Sequence, residues 1–385
     1  MAFDDSQLNK YDAVYHRLLY DILTSPELNF RDAERTVIDS IGVFGPQYEY
    51  DLRDGTIPLS GTKTIPFKTQ LFPEVVGFMR NETNLRWYLE QGMNIWTANA
   101  FDFYRRRLED GHPWKTPEKD SPEFHEAAQE YETLVLSGKD PNAGDLGMFY
   151  PAQWRSFRGI VEKELGPEVM QVDQLSNMIE KLQKDPTGRY ALVTAWNPFD
   201  VENKTAALAP CHCLFQAYRF TDVEGEERLS MKMYQRSADS LLGVPFNNAQ
   251  YATITSTIAH LLGIKPGRFI HTFGDLHLYV GRGERSAWYK DRKNLAWLQR
   301  ALQEQEPAQV YEELTDRLPS EGDYEGYDHV PFAIKQLARK STGEPPKLKV
   351  HAQSIDDIVV DDLEVIDYKR PEKLLINGQR AMMAS

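Results

Sequence analysis

Cysteine occurs twice in this chain, and both copies sit together in Ala209-Pro210-Cys211-His212-Cys213. A thiol becomes a nucleophile where positive charge or hydrogen bonding favours the thiolate. The plainer alternative at the start of an apolar strand is a small core residue, and Cys213 reads that way. Two residues apart is poor spacing for a disulfide, and two thiols fall short of a zinc set. No metal site is expected, and the composition suits a reducing cytoplasm.

Three further clusters follow. Tyr234-Gln235-Arg236-Ser237-Ala238-Asp239 sets a guanidinium fork beside a hydroxyl, a natural pair for phosphate, unless Arg236 merely pairs with an acid at the surface. In Gly243-Val244-Pro245-Phe246-Asn247-Asn248, the Asn247 carboxamide matches the N3–H and O4 edge of uracil, whereas Asp there would suit cytosine. The plainer alternative is a helix N-cap. Phe273-Gly274-Asp275-Leu276-His277-Leu278-Tyr279 points His277 and Tyr279 to one side of a strand. They would share a ribose hydroxyl or form a self-satisfied core pair.

The elements around these clusters follow from pattern. The chain has 385 residues, 41% of them hydrophobic, enough for one large domain or two with a full core. It has 44 Lys and Arg against 58 Asp and Glu, a formal charge of −14. That excludes a general nucleic-acid binder but leaves room for a local basic pocket. No signal peptide is expected, because the acidic start has no basic stretch leading into an apolar run. The charge-free run at residues 240–264 is rich in Asn, Gln and Thr, so it reads as a buried helix and not a membrane span.

Leu8, Tyr11, Tyr15, Leu18, Leu19 and Ile22 recur at helical spacing, ending at Ser25-Pro26. Strand-like pieces at residues 41–50 are punctuated by Gly42 and Gly45, and a helical region at 71–89 is broken near Arg80-Asn81. Strands are expected at 190–196, 211–220, 229–236 and 269–280. A helix with its face at Tyr251, Ile254, Ile258 and Leu261 would start at Asn247 and close at Gly263. Strands and helices do not alternate regularly, so the expected class is α+β. Residues 105–143 and 319–349, rich in charge, Gly and Pro, read as surface insertions outside the core, the first with an exposed helix at 123–136.

In their order and spacing, the four clusters resemble the thymidylate synthases and their siblings, the deoxypyrimidylate hydroxymethylases. The resemblance covers most of the chain, through Arg35-Thr36, Glu74, Trp96, Gly144-Asp145-Leu146-Gly147, Tyr150, Gln153-Trp154 and Ala195-Trp196-Asn197, and weakly into residues 355–368. It implies one catalytic domain over residues 1–385, with a mixed β-sheet covered by helices and sheet faces packed in a homodimer.

It also implies roles. Cys211 matches the nucleophile that adds to C6 of dUMP, so that C5 attacks the one-carbon unit of 5,10-methylenetetrahydrofolate, the co-substrate. His212 matches its neighbour, Glu74 a carboxylate that orders water and assists folate activation, and Tyr150 a phenol in proton transfer at C5. Asn247 matches the uracil reader, and Gln235 belongs to the same substrate-binding set. Arg35, Arg236 and Ser237 match phosphate ligands, and Arg189 matches one supplied by the partner subunit. His277 and Tyr279 match the 3′-hydroxyl contacts. Trp96, Asp239, Gly243 and Lys63 match the folate site.

There are departures. Tyr190 stands where the family has a second arginine, and Thr64 where it has a basic residue after Lys63. Residues 36–40 replace a Gly-rich loop, Gly77 replaces a Trp before Phe78, and residues 380–385 lack the family's apolar ending. Asn99 replaces a second Trp beyond Trp96, as in the hydroxymethylase branch. In both branches a methylene intermediate forms on the nucleotide; hydride then yields dTMP and water yields 5-hydroxymethyl-dUMP. The more polar wall points to 5-hydroxymethyl-dUMP. The alternative is dTMP formation; a third reading, a non-catalytic nucleotide- or RNA-binding homologue, is opposed by the complete set of Cys211, Glu74, Tyr150 and Asn247. Such hydroxymethylases are mostly bacteriophage enzymes, so a phage protein in its host's cytoplasm is the accompanying expectation. Partners are expected to be dUMP, folate and a second copy, without nucleic acid or membrane.

Overall fold

The structure is a computed structural model that describes residues 4–33, 38–119, 121–320 and 326–382. Asn9 accepts the N–H groups of Tyr11 and Asp12 and starts α1, Lys10–Thr24, which buries the expected Tyr11, Tyr15, Leu18, Leu19 and Ile22. Strands β1 (Asn29–Arg31), β2 (Ser40–Phe44) and β3 (Gln47–Asp51) follow. Gly45, at φ 86, turns the chain between β2 and β3. Helix α2 (Phe72–Arg80) ends on left-handed Asn81, and α3 (Leu85–Glu90) restarts behind Asn84, the break expected there.

Next come α4 (Thr97–Arg105), α5 (Pro122–Ser137), α6 (Tyr150–Arg155), the hairpin β4 (Phe157–Lys163) and β5 (Gly166–Val172), α7 (Gln174–Lys184), β6 (Leu192–Thr194) and α8 (Pro198–Glu202). The long strands β7 (His212–Thr221), β8 (Glu227–Asp239) and β9 (Lys265–Tyr279) frame α9 (Gly243–Leu261). Helices α10 (Gly283–Lys290), α11 (Arg292–Glu304), α12 (Pro307–Arg317) and α13 (His329–Leu337) lead to the hairpin β10 (Lys347–Val350) and β11 (Leu363–Ile366).

Seven strands form one sheet in the order β1-β2-β9-β8-β7-β6, with β3 also on β9. β2 pairs with β9 at residues 275–279 and β3 at 268–272. The β8–β9 ladder is parallel, and α9 is the crossover that a parallel pair requires. α9 is buried on most sides, which explains its charge-free sequence. Its Tyr251 stacks on Phe269 with ring centroids 5.8 Å apart. Among the described residues, no helix is long and apolar enough to cross a membrane. This mixed sheet covered by helices is the expected α+β architecture.

Two expectations are corrected. α5 is not an exposed helix: its Phe124 and Tyr131 have no exposed surface and pack on Phe101 of α4 at 5.1 and 5.5 Å. Fully burying one such ring contributes about 1.5–3 kcal/mol, enough to hold a helix whose outer face is charged. Residues 319–349 are not all surface either, since α13 buries Val330, Phe332, Ala333 and Ile334. The charges that suggested an insertion lie on its flanks.

Candidate active site

β7 begins immediately after Cys211, so the thiol stands half-buried at the head of a central strand, while Cys213 is buried as expected. Neither is in a disulfide. The Cys211 N–H donates to Tyr150 Oη at 2.6 Å, and the His212 N–H to the same oxygen at 3.3 Å. Beside it the β7–β8 register shifts between His212 and Leu214, a bulge of the kind that re-aims a side chain. Arg236 does not form the surface pair considered above. Its Nε donates to Pro210 O at 2.8 Å, and a terminal nitrogen lies 3.1 Å from Ala209 O and 3.8 Å from Cys211 Sγ. That guanidinium fixes the approach to the thiol and favours its thiolate form.

Tyr150 opens α6 and stacks on Phe78 of α2 at 5.2 Å. Burial holds its phenol well above the usual range, so the O–H proton stays in place. Glu74, in α2, is 3% exposed, and burial pushes its carboxyl up to about 8. It therefore carries a proton at neutral pH. The Trp96 indole lies close enough to Glu74 to oppose that shift, short of a well-formed hydrogen bond, and its ring meets Phe149 at 4.7 Å. His212 sits between Tyr150 and Tyr251, each at 5.2 Å; burial pushes its imidazole down to about 4.

Asn247 lies in the second turn of α9 and is not the N-cap, because the helix begins at Gly243. Pro245 fits there, since first-turn N–H groups have no intrahelical partner to lose. The Asn247 Oδ1 accepts from Gln235 Nε2 at 3.1 Å. The β8–β9 register sets Ser237 opposite Asp275 and Asp239 opposite His277. His277 and Tyr279 share a side, with ring centroids 5.0 Å apart. They are not a self-satisfied pair: His277 Nδ1 is buried without a hydrogen bond, 3.8 Å from Asp275. Burial pushes the His277 imidazole down. Arg31, not foreseen from the sequence, reaches Asp275 at 2.5 Å.

Asp239 accepts the N–H groups of Leu241 and Leu242 at 2.9 and 3.1 Å, which positions the turn before Gly243. Its Oδ2 is buried without a hydrogen bond. Burial pushes this carboxyl up, but His329, 3.4 Å away, and His277 outweigh that and lower it. A cavity of about 330 Å³ nearby is lined by Lys63, Ile95, Leu242, Phe246, Arg370 and Arg380. A buried carboxylate oxygen, an apolar slot and a cationic rim fit a folate, whose ring carries N–H donors and whose tail is acidic. His329, which also donates to Met382 O at 2.8 Å, was missed in the sequence because it comes from distant α13. Arg189 and Tyr190 stand exposed before β6 and make no ion pair among the described residues. Arg35 lies outside the described residues.

The fold and site thus set a thiol next to a guanidinium and a phenol, and add a protonated carboxyl and a carboxamide, group types that an enzyme of nucleophilic catalysis uses. The family model described as thymidylate synthase matches residues 13–378. The chain is 38% identical over 251 residues to thymidylate synthase of Mycoplasma genitalium, covering 64% of this chain and 74% of that one. It is 37% identical over 256 residues to thymidylate synthase of Listeria monocytogenes, covering 64% and 76%. The chain belongs to the thymidylate synthase family.

Proposed function

We propose that the chain transfers a one-carbon unit from 5,10-methylenetetrahydrofolate to C5 of dUMP and forms dTMP. The observation that carries this is the setting of Cys211, with its thiol beside Arg236 and its backbone amide on Tyr150. Cys211 Sγ bonds to C6, and the displaced electron pair runs through C5 toward O4, the edge that Asn247 reads. Tyr150 keeps its proton and is placed to relay the one lost from C5. Glu74 holds a second proton, buried beside Trp96. When bound, the folate supplies the one-carbon unit and, for dTMP, the hydride.

The relatives named above support hydride over water as the final donor, reversing the order drawn from the sequence, and lend nothing to a phage origin. One observation favours water as a second reading. Asn99, with Asp102 and Gln153, puts polar side chains into an otherwise largely apolar cavity of about 440 Å³, lined also by Leu208 and Pro210 of the strap that leads to Cys211. The homodimer is also proposed: Gln216, Tyr218, Phe220 and Ile270 line a shallow depression of about 370 Å³ on the sheet's outer face, which a second copy would cover while bringing Arg189 to the phosphate.

Incubation with dUMP and methylenetetrahydrofolate tests the reading by nucleotide mass and dihydrofolate absorbance. A methyl gain with dihydrofolate supports it. An added hydroxymethyl group without dihydrofolate makes the second reading correct, and N99W should then shift the product toward dTMP. Absence of both products, or full activity in C211S, overturns the proposal.

A further inference from the structure

We propose that a buried chain of hydrogen bonds, Tyr50–Asn248–His271–Gln235, fixes which way the Asn247 carboxamide faces and thereby sets uracil over cytosine. The inference rests on the reading of Asn247 as the pyrimidine contact. A carboxamide turned by half a revolution exchanges its donor and acceptor, so orientation is specificity. Uracil presents O4 and N3–H; cytosine presents the reverse pair, an N4 amino group and a bare N3.

The direction of each link follows from its neighbours. Gln235 Nε2 is claimed twice, by Ser237 O at 3.0 Å and Asn247 Oδ1 at 3.1 Å. Its Oε1 therefore faces His271 Nε2, 2.9 Å away, and that nitrogen must carry the proton. His271 is fully buried, with Phe273 at 3.8 Å and Phe269 at 5.4 Å between ring centroids. Burial pushes its imidazole well down, and His212, the titratable neighbour that acts on it, pushes the same way. The ring is neutral and Nδ1 is a bare acceptor.

Asn248 is placed with its Oδ1 2.8 Å from that Nδ1 and its Nδ2 2.6 Å from Tyr50 Oη, but the O and N of a carboxamide are assigned from their partners and exchange by a half-turn. A bare Nδ1 facing an oxygen would set acceptor against acceptor, so a neutral ring with its proton on Nε2 requires that half-turn: the Asn248 amino group at Nδ1 and its carbonyl accepting the Tyr50 hydroxyl. Burial holds that phenol's proton firmly. Every donor then points one way: Tyr50 to Asn248, Asn248 to His271, His271 to Gln235, Gln235 to Asn247. Reversing Asn247 would face its amino group with the Gln235 amino group, donor against donor in a buried site. Its N–H is thus held for O4, and its second carbonyl lone pair for N3–H. Tyr50, Asn248 and His271 are positioning residues that act through Gln235.

The test compares dUMP and dCMP dissociation constants on the full chain by calorimetry. H271F keeps a ring among Phe269 and Phe273 but removes the donor, and it should lower the dUMP preference about tenfold or more, through weaker dUMP binding. H271Q restores an amide N–H near the Nε2 position and should recover most of that preference. A folded H271F, judged by near-UV circular dichroism, with the wild-type ratio overturns the proposal, as does H271Q failing equally. Ring ¹⁵N shifts of His271 in the ligand-free protein give a readout independent of nucleotide. The expectation is a protonated Nε2 and bare Nδ1 from about pH 5.5 to 8.5; a proton on Nδ1 in that range overturns the chain. Wild-type protein that binds neither nucleotide would defeat the proposed function, and the tautomer would still decide the relay.

Discussion

Glu74→Gln should make the protein more stable and less active, by an amount that depends on pH. The Glu74 carboxyl rises from an ordinary 4.5 to about 8 on burial. Below the lower value both folded and unfolded chains hold the proton, and the group imposes no ionisation cost. Between the two values the unfolded chain ionises and the folded one does not. Wild-type stability therefore falls as pH rises, at about 1.4 kcal/mol per pH unit, until the folded carboxyl also ionises near pH 8. Glutamine has the shape of the protonated acid and no such loss. From pH 5.5 to 7.5 the advantage of E74Q over wild type should grow by about 2–3 kcal/mol. Urea unfolding at one fixed protein concentration measures it, and other titrating groups cancel in the difference. A difference that stays flat over this range would refute a protonated Glu74. Turnover should meanwhile fall by about 10²–10⁴, the usual worth of a positioned proton donor.

Other outcomes follow from the same geometry. R236Q, which removes the charge 3.8 Å from Cys211 Sγ, should slow alkylation of that thiol by iodoacetamide at neutral pH by about tenfold, and an unchanged rate would remove Arg236 from thiolate stabilisation. R285A breaks a buried pair with Asp328, 2.7 Å apart and joined by Tyr289, and should cost about 3–5 kcal/mol in denaturant unfolding; a loss below about 1 kcal/mol would mean the pair is dispensable. Y218E places a charge on the outer face of the sheet, where Tyr218 is 57% exposed, and should convert a dimer to a monomer in light scattering. A wild-type chain that is already monomeric would remove the dimer.

The sheet around the site was legible because its strands carry local signals: turn residues at Asp222 to Glu226, apolar runs, and Gly263 at φ 69 closing α9. What failed was whatever a distant partner decides. α5 and α13 look like surface in their own sequence, and partners elsewhere in the chain make their apolar residues core: α3 and α4 for α5, and α1, α12 and β9 for α13. The hairpin β4–β5 and the helices α10 to α12 were passed over, although Leu295, Leu298 and Leu302 recur at helical spacing. Asn247 was placed at a cap because Asn is common there, while Pro245 upstream already marked a helix start. Of the site, the motif residues were legible and their supports were not. His329 reaches Asp239 from another helix, and His271 shows itself only by its odd-numbered alternation with Phe273, His277 and Tyr279 along β9.

The placement of β9 has a consequence for synthesis. β2 and β3 both wait for it, and their partners, Ser40 with Tyr279 and Asp51 with Arg268, are made more than half a chain later. At about 5–20 residues per second, the ribosome leaves β3 without a partner strand, and β2 with β1 alone, for on the order of ten to fifty seconds. Their open edges are liable to wrong pairing throughout that time, tempered by Glu49 and Asp51 on β3. β6, β7 and β8 have their mutual partners once residue 239 is made, and β9 alone joins them to the N-terminal strands, so a nascent chain stopped before residue 265 has Cys211 but no complete sheet to hold it.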